Sequence, residues 1–130
     1  MLKKINLIVF MLGSVLTTSV MATTVQVDLY RGGNASSPRM DNVRDTDVLK
    51  YKNGNTEWVR AKQRGISTSG NMPSNQKNWW KVPKGTVVSN DIYIVNDYAD
   101  HWAWAPAKDM PLSDFIKLMQ NTNSKFTKLK

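Results

Sequence analysis

After position 22 the apolar residues of this chain fall in short runs bounded by Gly, Asn and Pro, and only one segment carries them at helical spacing. Val25–Arg31, Val48–Lys52, Thr56–Arg60, Gly65–Gly70, Asp91–Val95 and His101–Ala105 alternate in character or are rich in β-branched and aromatic residues, the patterns of strands. Asn53-Gly54 between two of these runs predicts a hairpin. Leu112, Phe115, Ile116 and Met119 share one helical face, with Pro111 at the first turn, which predicts a helix over Leu112–Gln120. Ser74 is placed to cap a short helical stretch through Trp79-Trp80, ended by Pro83. The polar, basic tail 121–130 is expected to fray. Strands with one late helix give an α+β domain.

The first 22 residues obey different rules. Lys3 and Lys4 precede a mostly apolar run, Leu7–Leu16, and Val20-Met21-Ala22 has the small-residue spacing of a cleavage site. That is the layout of a secretory signal peptide. The run is about half the roughly 20 apolar residues that span a bilayer. Residues 1–22 are therefore expected to be removed, leaving 23–130 secreted or periplasmic, with no membrane-spanning segment after processing. Of 53 apolar residues 14 precede position 23, so 39 remain to build one core.

Composition narrows the chemistry. The absence of Cys excludes thiol nucleophiles, disulfides and cysteine-ligated metals, and the single His101 excludes a His-paired metal site. Glu57 is the only Glu, so no Glu–Glu acid/base pair exists. Sixteen of the 18 basic residues and all ten acids lie after position 22, a net charge of +6 there.

Several short pieces then occur in a telling order. They are Leu29-Tyr30-Arg31, Ser37-Pro38-Arg39, Trp58-Val59, Gly65-Ile66-Ser67-Thr68-Ser69, Pro83-Lys84-Gly85-Thr86, and His101-Trp102 running into Pro106–Met110. In these the chain resembles the toxins of the type VI secretion exported-effector-two family, and its opening is similar to the cholera-toxin branch of ADP-ribosyltransferases. The resemblance covers nearly all of residues 27–119. It implies a small ADP-ribosyltransferase-like split-sheet domain over 23–130 and NAD as substrate. Its expected partners are an acceptor macromolecule and a cognate immunity protein. By resemblance the catalytic set is His101, Ser67 and Arg31, and the cofactor-binding set is Arg31, Ser67, Thr68 and Trp79.

The chemistry gives these residue types a use. An Arg at a strand end can grip phosphate oxygens bidentately, and Gly32-Gly33 beside Arg31 lets backbone approach a ligand. Ser67 and Thr68 offer hydroxyls to a ribose. Trp79 and Trp80, adjacent and so facing opposite ways in extended chain, offer one ring for packing and one for stacking; Trp102 and Trp104 read as core. The departure from the pattern is the late Glu that protein-modifying transferases use to stabilise positive charge on the ribose. No Glu follows position 57, and Asp97, Asp100 and His101 are the polar candidates near the late strand.

Two other readings stay open at this point. A secreted basic ribonuclease would bring Glu57, Arg60 and His101 together on one cleft, with positive charge attracting the RNA backbone. A non-enzymatic exported binding module would not need Arg31, Ser67 and His101 to converge.

Overall fold

The computed structural model describes residues 22–72 and 77–129. The expected leader 1–22, apart from Ala22, and the expected cap Ser74 lie outside the described residues.

Among the described residues eleven strands form three antiparallel sheets, accompanied by one α-helix. The short strands β1 (Thr23–Thr24) and β7 (Val87–Val88) pair with each other. β3 (Lys50–Asn53) and β4 (Thr56–Val59) form the expected hairpin, though its loop is Gly54-Asn55, one residue later than the Asn-Gly reading, since Asn53 still pairs with Thr56. β10 (Met110–Pro111) completes this three-stranded sheet against β4. The largest sheet has the order β11-β6-β2-β5-β9-β8, built from β2 (Leu29–Gly32), β5 (Ile66–Ser69), β6 (Trp79–Val82), β8 (Ile92–Tyr98), β9 (His101–Pro106) and β11 (Thr127–Lys128).

The helix α1 spans Leu112–Gln120 with Pro111 at its N-cap, and buries Phe115 and Met119. It packs on β4 and β10. Leu118, rather than Ile116, joins Leu112 at the edge of the core. That core is one continuous cluster of Leu29, Ile66, Val82, Ile92, Ile94 and Trp104 from the six-stranded sheet with Val59, Met110, Phe115 and Met119. Alternation supplies its strand members. This is the α+β, split-sheet architecture expected.

Two local expectations are corrected. Trp79-Trp80 is strand, paired across Gly32 and Arg31 of β2, instead of the end of a helix. Cross-strand pairing and Trp80 packing against the core outweigh the weak helix propensity of a Trp pair. The tail does not fray: Thr127 and Lys128 pair with Lys81 and Trp80, and Phe126 is buried with its ring 5.8 Å from that of Trp104. A single buried aromatic anchors what looked like a polar end.

Candidate active site

The key to the site is where β2 and β5 part company. They pair only at Tyr30↔Ser69, and beyond that point the two backbones splay. Arg31 crosses the gap. Its Nη1 donates to Ser67 O at 2.8 Å, its Nε to Pro38 O at 2.9 Å and its Nη2 to Arg39 O at 2.9 Å. Three of its five N–H groups are thus spent on backbone carbonyls. Burial pulls its pKa below the usual arginine value, with the charge of Asp47 the largest opposing influence. Arg31 therefore straps the 34–39 loop to the central strand, and this differs from a clamp with its full fork facing a ligand.

The loop it holds is built for that contact. Asn34 Oδ1 accepts from the backbone N–H groups of Ser36 and Ser37, an Asx-type turn. A Cβ on Gly33 would lie 2.1 Å from Ser37 O, so only glycine lets the loop close here. Arg39 takes φ +57°, which turns its carbonyl toward Arg31.

Ile66 and Thr68 of β5 are buried, which turns Ser67 to the opposite face. Thr68 faces the core: its Oγ1 donates to Trp102 O and accepts from Trp104 Nε1, both at 3.0 Å. Thr68 also lines a cavity between β2 and β5, but its hydroxyl, expected to orient a ribose, is turned to these two tryptophans. That hydroxyl is committed to holding the buried indole, and such a group is costly to unpair.

On the open face Ser67 meets His101. Ser67 Oγ lies 2.9 Å from His101 Nε2, and His101 Nδ1 hydrogen-bonds Asp97 Oδ1. A carboxylate can only accept, so Nδ1 carries a proton; when that is the ring's only proton, Nε2 accepts from Ser67 O–H. The strand geometry explains the pairing. The β8–β9 ladder has a bulge between Asn96 and Tyr98, which leaves Asp97 unpaired and free to lie alongside His101. Tyr98 stacks on the imidazole, with centroids 4.7 Å apart and planes 11° from parallel. Asn96 Nδ2 donates to Ala99 O and His101 O, pinning a turn in which Ala99 takes φ +43°.

Two cavities share Ser67 and His101. One, of about 380 Å³, is lined by Arg44, Lys62, Arg64, Asp97 and Ala103 among others. The other, about 240 Å³ and shallower, lies in the β2–β5 split and is lined by Tyr30, Arg31, Gly32 and Trp79. A Cβ on Gly32 would sit 3.5 Å from the Trp79 ring, so that indole covers the strand end. The structure thus brings Arg31, Ser67, His101 and Trp79 to one place. It does not bring Glu57, which pairs with Lys52 on the three-stranded sheet and lines neither cavity. Asp100 hydrogen-bonds Asn71 instead of His101.

A family model described as Tse2 ADP-ribosyltransferase toxin matches residues 17–130. The chain belongs to this family. No curated protein and no solved structure matches it. In this chain the split between β2 and β5 and the Ser-Thr-Ser strand beside it are the features that position the candidate site. Asp97 is the residue sequence reasoning weighed without assigning a role. Its signal was present, four residues before the only His, but spacing in a strand turn does not say which side chains meet.

Proposed function

We propose that this Tse2-family toxin binds NAD⁺ across the Ser67–His101 pair and transfers its ADP-ribose to an acceptor, or to water, in a target cell. The observation that carries this reading is the hydrogen-bonded Ser67–His101 pair lying at the junction of two cavities, beside the β2–β5 split. NAD⁺ has a flat, cationic nicotinamide at one end of a ribose and a phosphate-linked adenosine at the other. An aromatic cavity and a basic cavity meeting at one hydroxyl–imidazole pair suit those two ends.

When the C–N glycosidic bond breaks, nicotinamide leaves with the bonding electrons and positive charge grows on the ribose. Lone pairs of Ser67 Oγ face that charge, and the Asp97 carboxylate adds negative potential through His101. Together they take the part that a late Glu plays in protein-modifying transferases. Electrostatic stabilisation of this kind is worth about 3 kcal/mol per well-placed group. The acceptor's nucleophilic atom then bonds to the anomeric carbon, and its proton passes to His101 Nε2. Trp79 stacks on the nicotinamide ring. Arg31 acts by holding Ser67 and the 34–39 loop in register, with the N–H groups left on its two Nη atoms available to the ligand.

In this reading residues 1–22 direct export, placing 23–130 in the periplasm or outside the producing cell. The acceptor is a macromolecule of the target cell, and a cognate immunity protein protects the producer. Among the described residues no helix is long and apolar enough to cross a membrane.

The decisive experiment incubates the purified protein with NAD⁺ labelled in the adenylate and, separately, in nicotinamide, with and without cell lysate. Nicotinamide release that disappears in His101→Ala supports the reading. A folded wild-type protein that releases no nicotinamide and labels nothing would overturn it.

A further inference from the structure

We propose that Lys62 and Arg64, which line the larger of these two cavities, form the seat for a diphosphate, which on the NAD⁺ reading above is the pyrophosphate of the dinucleotide. Four observations converge on this segment.

The first is charge. Of the two carboxylates that line the cavity, Asp47 is ion-paired with Arg44 at 3.0 Å and Asp97 hydrogen-bonds His101, so Lys62 and Arg64 outnumber the one acid without an arginine or lysine partner. Lys62 and Arg64 have no acid partner among the described residues, although both line the same cavity as Ser67 and His101. Two cations one residue apart, facing a concave surface, favour a doubly charged anion.

The second is rigidity. The segment is fastened along its length: Arg60 N–H donates to Leu49 O at 2.9 Å, Ala61 N–H to Asp109 Oδ1 at 2.8 Å, and Lys62 N–H to Pro106 O at 2.8 Å. Gly65 then presses against β9 so closely that a Cβ there would lie 2.3 Å from the Trp104 carbonyl. A backbone held in place before a ligand arrives leaves only the side chains to be ordered on binding it.

The third is strain. Lys62 sits at φ +57°, in the left-handed region that costs a lysine energy and a glycine little. Its ammonium rests 4.9 Å over the Tyr93 ring, an exposed cation–π contact that a bound anion can replace. A strained backbone that carries a charged side chain points to a use for that side chain.

The fourth is the engagement of Arg31. Its three bonds to carbonyls leave it a poor sole clamp for two phosphates, so the anion needs other partners.

The test uses ADP as probe, titrated calorimetrically into the purified full-length protein. K62A/R64A is expected to weaken ADP binding by about tenfold or more, which is about 1.4 kcal/mol, and to flatten its dependence on salt. Lys62→Gly alone is expected to weaken binding while leaving the melting temperature equal or higher, because strain is relieved. K62Q/R64Q serves if the alanine pair folds poorly. A wild-type protein that ignores ADP, or a folded double variant that binds it as wild type does, overturns the assignment. The NAD⁺ reading fails separately. If ADP binding depends on Lys62 and Arg64 yet wild type never releases nicotinamide, the diphosphate seat stands and the transferase reading falls. If wild type consumes NAD⁺ and K62A/R64A leaves both KM and ADP affinity unchanged, the seat falls and the transferase reading stands.

Discussion

Ser67 Oγ and His101 Nε2 are 2.9 Å apart although 34 residues separate them in the chain, because β5 and β9 are antiparallel neighbours with Ser67 opposite Ala103 and Ser69 opposite His101. The pair sits on the open face of a sheet whose other face is the core. Replacement of either side chain therefore removes a polar group from a cleft without opening a cavity. His101→Ala is expected to lower NAD⁺ turnover by about 10²-fold or more with ADP affinity retained. Ser67→Ala is expected to lower turnover less. Glu57→Gln, on the other sheet, should leave both unchanged, and steady-state kinetics with a binding titration on the three variants check this. A crippled Glu57→Gln enzyme would instead favour the ribonuclease chemistry.

On the NAD⁺ reading Asp97 acts through the His101 Nδ1 that it hydrogen-bonds, so its removal should show in the imidazole. Asp97→Asn can still hydrogen-bond Nδ1, but as an amide it can donate and so favours the wrong tautomer. Turnover is expected to fall by about tenfold or more, with KM for NAD⁺ little changed. Nitrogen chemical shifts of His101 should report the proton moving from Nδ1 to Nε2, and the pH profile of kcat should change shape. An unchanged tautomer with lowered stability would mean that Asp97 only braces the turn.

Arg31 is a strap, so its loss is a stability event as well as a functional one. Arg31→Ala strands the carbonyls of Pro38, Arg39 and Ser67 and is expected to cost about 2–4 kcal/mol. Arg31→Lys should recover only part, since an ammonium cannot reproduce the planar fork that reaches three carbonyls at once. Chemical denaturation of the three proteins gives the comparison.

Asp109 provides an acid-sensitive tie under the Lys62–Arg64 segment. It accepts from Ala61 N–H and Tyr51 O–H, both at 2.8 Å, and Arg60 lies 3.6 Å away. The Ala61 N–H first, and then the Tyr51 hydroxyl, hold its pKa below the usual aspartate value. A carboxylate with a depressed folded pKa stabilises above its unfolded value, and that contribution is lost as pH falls through the folded one. Stability should thus decline as pH drops through and below the ordinary aspartate range. In Asp109→Asn this part of the decline should vanish, and amide exchange at residues 61–64 should quicken. Melting curves and hydrogen exchange against pH make the measurement.

Much of the fold was legible because its signals are local. Bounding glycines marked Gly65–Gly70, β-branched and aromatic content marked Asp91–Val95 and alternation marked His101–Ala105, where the strands Ile66–Ser69, Ile92–Tyr98 and His101–Pro106 lie, and helical spacing marked Leu112–Gln120. Trp79-Trp80 was misread because its pairing with Gly32 and Arg31 is made across the sheet, beyond any local window. The tail was misread because one buried Phe126 outweighs nine mostly polar neighbours only once a core exists to receive it.

The residues of the site divide in the same way. The sequence by itself determined which groups were available: one His, no Cys, no late Glu, an Arg at the end of the first long strand and a Ser-Thr-Ser strand. Only the tertiary structure decided what each could do. Pleat parity sent Ser67 to the cleft and Thr68 to the core, a bulge placed Asp97 against His101, and the splay of β2 from β5 turned Arg31 into a strap. Lys62 and Arg64 look like any solvated charges in the chain. They line the same cavity as Ser67, and Gly65 lets their segment lie against the Trp104 backbone, a contact between residues about forty positions apart. Side-chain chemistry is carried by each residue alone, whereas direction and distance depend on hydrogen-bond registers that exist only after distant strands have paired.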